Sequence, residues 1–165
     1  MQIDISSVII GLASLATFAV PIGYDQYKVK RAKSRAKKQF LDTSANVGFQ
    51  YDSYDILGNS AVIGIGKNSE ELLYVKNDTD HRLIELRNLT SCRSYETQDK
   101  IVADDGSHRN MKEVGIRLTV SENGKIKLPV FEGRDGTQRG NESIVVEQWI
   151  SRIASAQKSL HQGIS

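Results

Sequence analysis

Side chains that could act as a nucleophile, a base or a metal ligand are few and scattered in this sequence. They are one cysteine, three histidines and two adjacent aspartates: Cys92, His81, His108, His161, Asp104 and Asp105. A cysteine beside a histidine base would make a covalent catalyst. No motif joins Cys92 to a histidine, however, and a single cysteine in a strand-like segment is typical of a small buried apolar residue. We therefore predict that the protein is not an enzyme, with a hydrolase that uses Cys92 as the alternative.

The sequence offers no recognisable site for a metal or a cofactor. The segment DDGSHRN at 104–110 places two carboxylates and a histidine in one loop. It lacks the oxygen spacing of a calcium loop and the repeated Cys or His of a zinc site. The segment GIGK at 64–67 lacks the four-residue gap and the Ser/Thr of a phosphate-binding loop. We predict no metal and no cofactor.

Two long polar segments, 98–111 and 132–140, are predicted to be loops that the core does not need. Loops of this kind are freer than strands to carry function. We therefore predict that they contact a protein partner. The candidate contact residues are Asp104, Asp105, His108, Arg109, Arg134, Asp135 and Arg139.

The most uneven charge distribution lies near the N-terminus. Seven basic residues fall within eleven positions, namely Lys28, Lys30, Arg31, Lys33, Arg35, Lys37 and Lys38. They follow the uncharged segment 5–24, whose length as a helix, about 30 Å, matches a bilayer core. The sequence therefore predicts a transmembrane helix over residues 1–25. It is not expected to be cleaved as a signal peptide, because the basic cluster follows the apolar segment. The alternative is a helix buried in a large domain.

The basic cluster then predicts topology through the positive-inside rule. The N-terminus would lie outside, and the C-terminal domain in the cytoplasm, of a single-pass inner-membrane protein. The cluster would contact anionic phospholipid, with no nucleic acid as partner because no aromatic interleaving suggests base stacking. Ser7 and Gly11 form one small-xxx-small pair that would permit a homo-oligomer through the helix.

Net charge distinguishes the first forty residues from the rest of the chain. Residues 1–40 hold seven Lys/Arg and two Asp, for a net charge of +5, whereas residues 41–165 hold fifteen Lys/Arg and eighteen Asp/Glu, for −3. Residues 26–47 are predicted to form a basic helical stem and linker, with Val29, Ala32, Ala36 and Phe40 as a narrow apolar stripe. The stem is expected to be solvated, or to pair with another stem or rest on the domain.

Short apolar or alternating segments dominate residues 48–165 and predict an antiparallel sheet. Strands are expected at 49–54, 61–66, 71–76, 82–86, 91–97, 113–120 and 125–132, with a tight turn at Asn123-Gly124. The segment 141–160 then predicts a helix capped by Asn141. Its apolar residues recur at helical spacing and are expected to pack on the sheet: Val145, Trp149, Ile153, Ala156 and Leu160.

Six or seven antiparallel strands followed by one amphipathic C-terminal helix are the element order of the pleckstrin-homology-like barrel. The segments LIELRNLTSCRSYE, GIRLTV with IKLPVFEG, and VVEQWISRIA carry this resemblance. On them the chain resembles uncharacterised bacterial proteins, common in Bacteroidetes, with one transmembrane helix, a basic stem and a small cytoplasmic domain. The resemblance implies an α+β fold, in which the C-terminal helix caps an antiparallel β-barrel or roll. It implies no catalytic activity.

The predicted function is that of a membrane-anchored cytoplasmic binding or scaffold module, which recruits a protein partner at the inner membrane. The alternative is a membrane-tethered regulatory or sensor subunit of a larger membrane or defence system, whose 98–111 loop responds to a ligand.

Overall fold

The computed structural model describes residues 5–58, 60–76, 80–102, 108–121, 124–134 and 141–162. Side chains are described in these ranges except at 5–23, 25, 99–102, 108–111 and 134. In chain order the elements are helix α1 (Ile5–Val47), strands β1 (Tyr51–Leu57), β2 (Ala61–Gly66), β3 (Glu71–Lys76) and β4 (Asp80–Glu85), a one-turn 3-10 helix (Leu86–Asn88), strands β5 (Leu89–Val102), β6 (His108–Val120) and β7 (Gly124–Arg134), and helix α2 (Glu142–Gln162).

The strands form two antiparallel sheets that follow chain order. Sheet A has the order β1-β2-β3-β4 and sheet B the order β5-β6-β7. The alternating segments therefore predicted strands correctly, and β2 and β3 match the predicted ranges 61–66 and 71–76 residue for residue. β6 and β7 form the predicted hairpin, whereas Asn123 of the predicted tight turn lies outside the described residues. Gly124 pairs with Val120 and has a φ of +67°, a conformation that glycine adopts without strain.

The main core lies between the two sheets and is closed by α2. Both sheets contribute buried aliphatic residues, and α2 adds Val146, Trp149, Ile153 and Ala156. Trp149 is fully buried, as its helical spacing predicted. Val145 and Leu160 are only partly buried. The carbonyl of Asn141 accepts the Val145 amide at 3.1 Å, so α2 starts where the cap was predicted.

A second apolar cluster lies on the opposite face of sheet A, under the end of α1. Ala36 and Phe40 from the predicted stripe are buried there with Phe49, Val62, Leu73 and Val75. Phe40 lies directly over Gly64, where an added Cβ would approach the Phe40 ring to 2.7 Å. Sheet A is thus covered on both faces, which explains why every residue of β2 is buried.

The predicted transmembrane helix needs correction. Among the residues that the structure describes, no helix is long and apolar enough to cross a membrane. This finding contradicts the span at 1–25, the single-pass arrangement and the inner-membrane localisation. The side chains of residues 5–23 lie outside the described part of the structure. Those described in α1, from Tyr24 onward, include the seven basic residues and an apolar stripe that packs on the protein's own sheet.

The predicted closed barrel is also wrong. In the described ranges no strand ladder joins sheet A to sheet B, because β4 is followed by the 3-10 helix and β5 then pairs with β6 alone. Side chains bridge the two sheets instead: the Tyr74 hydroxyl donates a hydrogen bond to the Pro129 carbonyl at 2.7 Å. The fold is an α+β arrangement of two open antiparallel sheets and two helices.

The predicted loop at 98–111 is shorter than expected. Strands β5 and β6 continue into it, and Gln98 pairs with Lys112 while Val102 pairs with His108. Polar residues occupy this part of the hairpin because it extends beyond β7, whose last pair is Arg134 with Met111. The sequence therefore suggested a loop where the backbone forms a two-stranded ribbon.

Candidate functional site

The structure does not assemble the predicted nucleophile and bases into one site. Cys92 is half-buried on β5, and burial, with a smaller effect of Glu147, raises its pKa to about 11. His81 is exposed on β4, and His161 lies at the end of α2 with Nδ1 2.8 Å from the Gln157 carbonyl. In the described ranges no contact joins Cys92 to either histidine. The Cys92 thiol is protonated at neutral pH, the reverse of an activated nucleophile.

Most of the predicted partner-contact residues lie where side chains are not described. Asp104, Asp105, Asp135 and Arg139 are outside the described ranges. The backbones of His108 and Arg109 belong to β6, and that of Arg134 ends β7. Within the described part of the chain no group of three or more His, Cys, Asp or Glu is placed to hold a metal ion.

The seven basic residues of α1 are all exposed. Lys28 lies over the Tyr24 ring at 4.4 Å, and Lys37 lies 6.0 Å from the Tyr54 ring centroid. Lys33 reaches a cavity of about 530 Å³ between α1, the β1–β2 turn, β7 and the start of α2. Lys76 and Glu132, which also line it, form an ion pair with each other. Because they pair, they leave little net charge in the cavity to select a ligand.

The outer strands of the two sheets offer a clearer candidate, because an unpaired strand edge presents main-chain donors and acceptors to a partner. Two of the four outer strands are engaged by other elements. On β1, Tyr54 stacks on Phe40 of α1 at 5.2 Å, and the Asp55 side chain accepts hydrogen bonds from Trp149 and Arg152 of α2 at 3.1 and 2.7 Å. These side-chain contacts fix β1 to both helices.

The edge of β7 is occupied by sheet A. The Pro129 carbonyl accepts the Tyr74 hydroxyl, and the Lys127 carbonyl accepts Arg82 Nη1 at 3.4 Å. Pro129 also lacks an amide hydrogen, so a strand could not pair continuously along this edge. β7 is thus unavailable to a partner strand, because sheet A contacts its edge and Pro129 interrupts its row of amide donors.

Of the two remaining edges, β4 is short and β5 is long. β4 has six residues, and Arg82 pairs with Asp80 at its end. β5 has fourteen residues, LTSCRSYETQDKIV, without proline. Gln157 of α2 donates a hydrogen bond to the Leu89 carbonyl at 2.5 Å, at the start of the strand. In the described part of the chain no other element bonds to the outer main-chain edge of β5 between residues 91 and 98.

The side of β5 that faces α2 adjoins this edge, and we call the surface bounded by Cys92, Glu147 and Ile150 the groove. Cys92 of β5 and Ile150 of α2 are partly buried and pack against the main core. Glu147 lies near enough to Cys92 to affect its pKa. A strand added to β5 would place alternate side chains into this groove. We define the β5 edge site as the outer edge of residues 91–98 together with this groove.

Sequence reasoning missed this site because it depends on which strands lie at the outside of each sheet. The segment 91–97 was correctly predicted as a strand, but nothing in it shows that its second edge is unpaired. The absence of proline over residues 89–102 gave no signal either, because β1 and β4 also lack proline. Comparison of the chain with protein-family models, curated proteins and solved structures gives no match.

Proposed function

We propose that this protein is a binding module that recruits a protein partner by adding an extended segment of that partner to β5. The observation that carries the proposal is the contrast among the four outer strands: β1 is fixed to both helices by side chains, the β7 edge is occupied by sheet A, β4 is short, and β5 is long, free of proline and, in the described part of the chain, without a main-chain bond to another element over residues 91–98. Strand addition gains affinity from main-chain hydrogen bonds and specificity from pockets for alternate side chains.

On this proposal, the side chains on one face of the added segment meet the groove beside α2. It is lined by the partly buried Cys92 and Ile150, so it favours a small apolar side chain. The exposed Ile144 in the first turn of α2 extends the apolar surface of the helix; 56% of it is accessible. The raised pKa of Cys92 suits a residue that packs as a neutral group. On this proposal Cys92 helps to bind and does not react.

The test is selection of peptides from a random twelve-residue display library on the immobilised full chain, followed by binding to edge-blocked variants. Neighbouring amides of a strand point to opposite sides, so either Arg93→Pro or Ser94→Pro removes an outward amide and spares the β5–β6 ladder. The one of these two variants that keeps the native circular dichroism spectrum is used. His81→Pro or Arg82→Pro on β4, chosen in the same way, is the matched control.

We expect selected peptides to bind wild type and the β4 variant equally and to lose at least about tenfold in affinity for the β5 variant. Peptides that bind the β5 variant as well as wild type would contradict the proposal. If neither β5 proline variant folds, the test is hydrogen–deuterium exchange of wild type. Bound peptide should then slow exchange of the β5 amides that point away from β6, and unchanged exchange would contradict the proposal.

A further inference from the structure

The face of sheet B turned away from the core carries three cations in one row. Arg93 of β5 pairs with Arg117 of β6, and Arg117 pairs with Lys127 of β7, so the three residues are direct cross-strand neighbours. Alternation along each strand puts them on the side opposite the buried Leu118, Ile116 and Leu128. Neither helix covers this face, since α1 packs on sheet A and α2 closes the core.

Tyr95 holds two of these cations in place. Its ring centroid lies 5.4 Å from Arg117 Cζ and 5.2 Å from Lys127 Nζ. The ring is only 6% exposed although it lies on the outer face, because the cations cover it. Its hydroxyl donates a hydrogen bond to Glu113 Oε1 at 2.5 Å. The ring crosses the β6 backbone at Gly115, where an added Cβ would lie 2.9 Å from Tyr95 Cε1.

The cations of this row form no close ion pair within the described residues, although Glu113 and Glu132 lie farther along the same face. None of the ion pairs found there includes Arg93, Arg117 or Lys127. Like charges directly opposite each other destabilise a sheet. Next to the row, the Ser91 hydroxyl donates to Thr119 Oγ1 at 3.2 Å, so the adjacent surface is polar. An anionic group above the row would relieve the repulsion and gain charge-assisted hydrogen bonds from the two guanidinium groups.

Arg93 also borders the β5 edge site. A strand added to β5 lies about 4.8 Å outside it, and its side chains alternate between the two faces of sheet B. On one face they meet the groove with Cys92 and Ile150, where the exposed Glu147 repels acidic groups and Glu96 is already paired with Lys112. On the other face they come beside Arg93 and within reach of Arg117. The two faces therefore select opposite kinds of side chain.

We propose, resting on the proposed function, that the segment added to β5 is an acidic peptide in which anionic and apolar residues alternate. The anionic side chains pair with Arg93 and Arg117, the part of the row nearest the added strand, and the apolar side chains meet the groove beside α2. We choose an acidic peptide because its charge complements this row. The row is the only cross-strand group of three cations among the described strand pairings.

The experiment measures binding of three labelled octapeptides to the full chain at low ionic strength. Each alternates valine with a second residue, which is glutamate, glutamine or phosphoserine. We expect the glutamate peptide to bind at least about tenfold more tightly than the glutamine peptide, and the advantage to shrink as salt is added. The phosphoserine peptide should also exceed the glutamine peptide, and its rank against glutamate tells whether phosphate or carboxylate is the better anion.

The double variant Arg93→Gln/Arg117→Gln should remove the advantage of the glutamate peptide. The matched control Lys67→Gln/Lys158→Gln changes net charge equally at exposed positions elsewhere and should retain it. Equal binding of the glutamate and glutamine peptides to wild type, with protection of outward β5 amides, would overturn this inference and leave strand addition standing. Charge-dependent binding without β5 protection would instead overturn strand addition.

Discussion

Trp149 shows how one side chain joins the core to the edge of sheet A. Its ring is fully buried, its Nε1 donates to Asp55 Oδ2 at 3.1 Å, and Arg152 lies 5.1 Å from the ring centroid while pairing with the same carboxylate. We expect Trp149→Ala to lower the free energy of unfolding by about 3–5 kcal/mol, because it leaves a large cavity and removes one of the two hydrogen bonds to the Asp55 carboxylate. Urea unfolding followed by circular dichroism measures this change.

Ile144→Ala is the control for this substitution, since Ile144 lies on the exposed side of the same helix. We expect it to change the free energy of unfolding by no more than about 0.5 kcal/mol. A similar loss for both variants would show that Trp149 is not the anchor described here.

Cys92 provides a prediction on pH dependence. Its pKa is raised from 9.0 to about 11 by burial, with a smaller contribution from Glu147. The thiolate is the reactive form, so at pH 8 the folded protein should be alkylated by iodoacetamide about a hundredfold more slowly than the urea-unfolded chain. The rate should rise through pH 9 and 10 without a plateau. A plateau below pH 8 would indicate an activated thiol and would favour the hydrolase alternative.

Some residue roles could be predicted from the sequence and others could not. Helical spacing was enough to place Trp149 in the core, because burial on one face of a helix is a local property. Its hydrogen bond to Asp55 spans 94 positions in the chain and leaves no local signal. The row of Arg93, Arg117 and Lys127 depends on strand register in the same way, so each residue looks like an ordinary exposed cation in the sequence.

At the scale of elements, the end of α1 is part of the folded domain. Phe40 is fully buried and contacts the rings of Phe49, Tyr51 and Tyr54 at centroid distances of 5.2–6.4 Å. We expect Phe40→Ala to lower the free energy of unfolding by about 3–5 kcal/mol. Chemical denaturation of the full chain measures this, with Tyr27→Ala as the exposed control on the same helix. An unchanged midpoint for Phe40→Ala would contradict the packing of α1 on sheet A.

The sequence predicts which segments are helices and strands better than it predicts what each of them packs against. Alternating residues and turn signals located all seven strands, because both are short-range effects. Polar residues in the outer part of the β5–β6 hairpin imitated a loop, since this part of the hairpin extends beyond the end of β7. The stripe at Ala36 and Phe40 was recognised, but whether it would meet solvent, another stem or the sheet required the tertiary structure.

At the scale of the whole molecule, the two sheets differ in how much of their surface other elements cover. Sheet A is covered by α1 on one face and by the core on the other, whereas sheet B keeps one face and the β5 edge uncovered. The two surfaces that we propose for binding adjoin each other at Arg93. Partner recognition is therefore expected on sheet B, while α1 and sheet A stabilise the fold.

Hydrogen–deuterium exchange of individual β5 amides, with and without the tightest peptide from the library selection, tests strand addition most directly. Amides that point toward β6 are already bonded, and those that point outward are free. The account predicts that peptide binding slows exchange at every second amide between residues 91 and 98, by at least about tenfold, and leaves β4 unchanged. Protection that is absent from β5, or that appears on β4 instead, would contradict it.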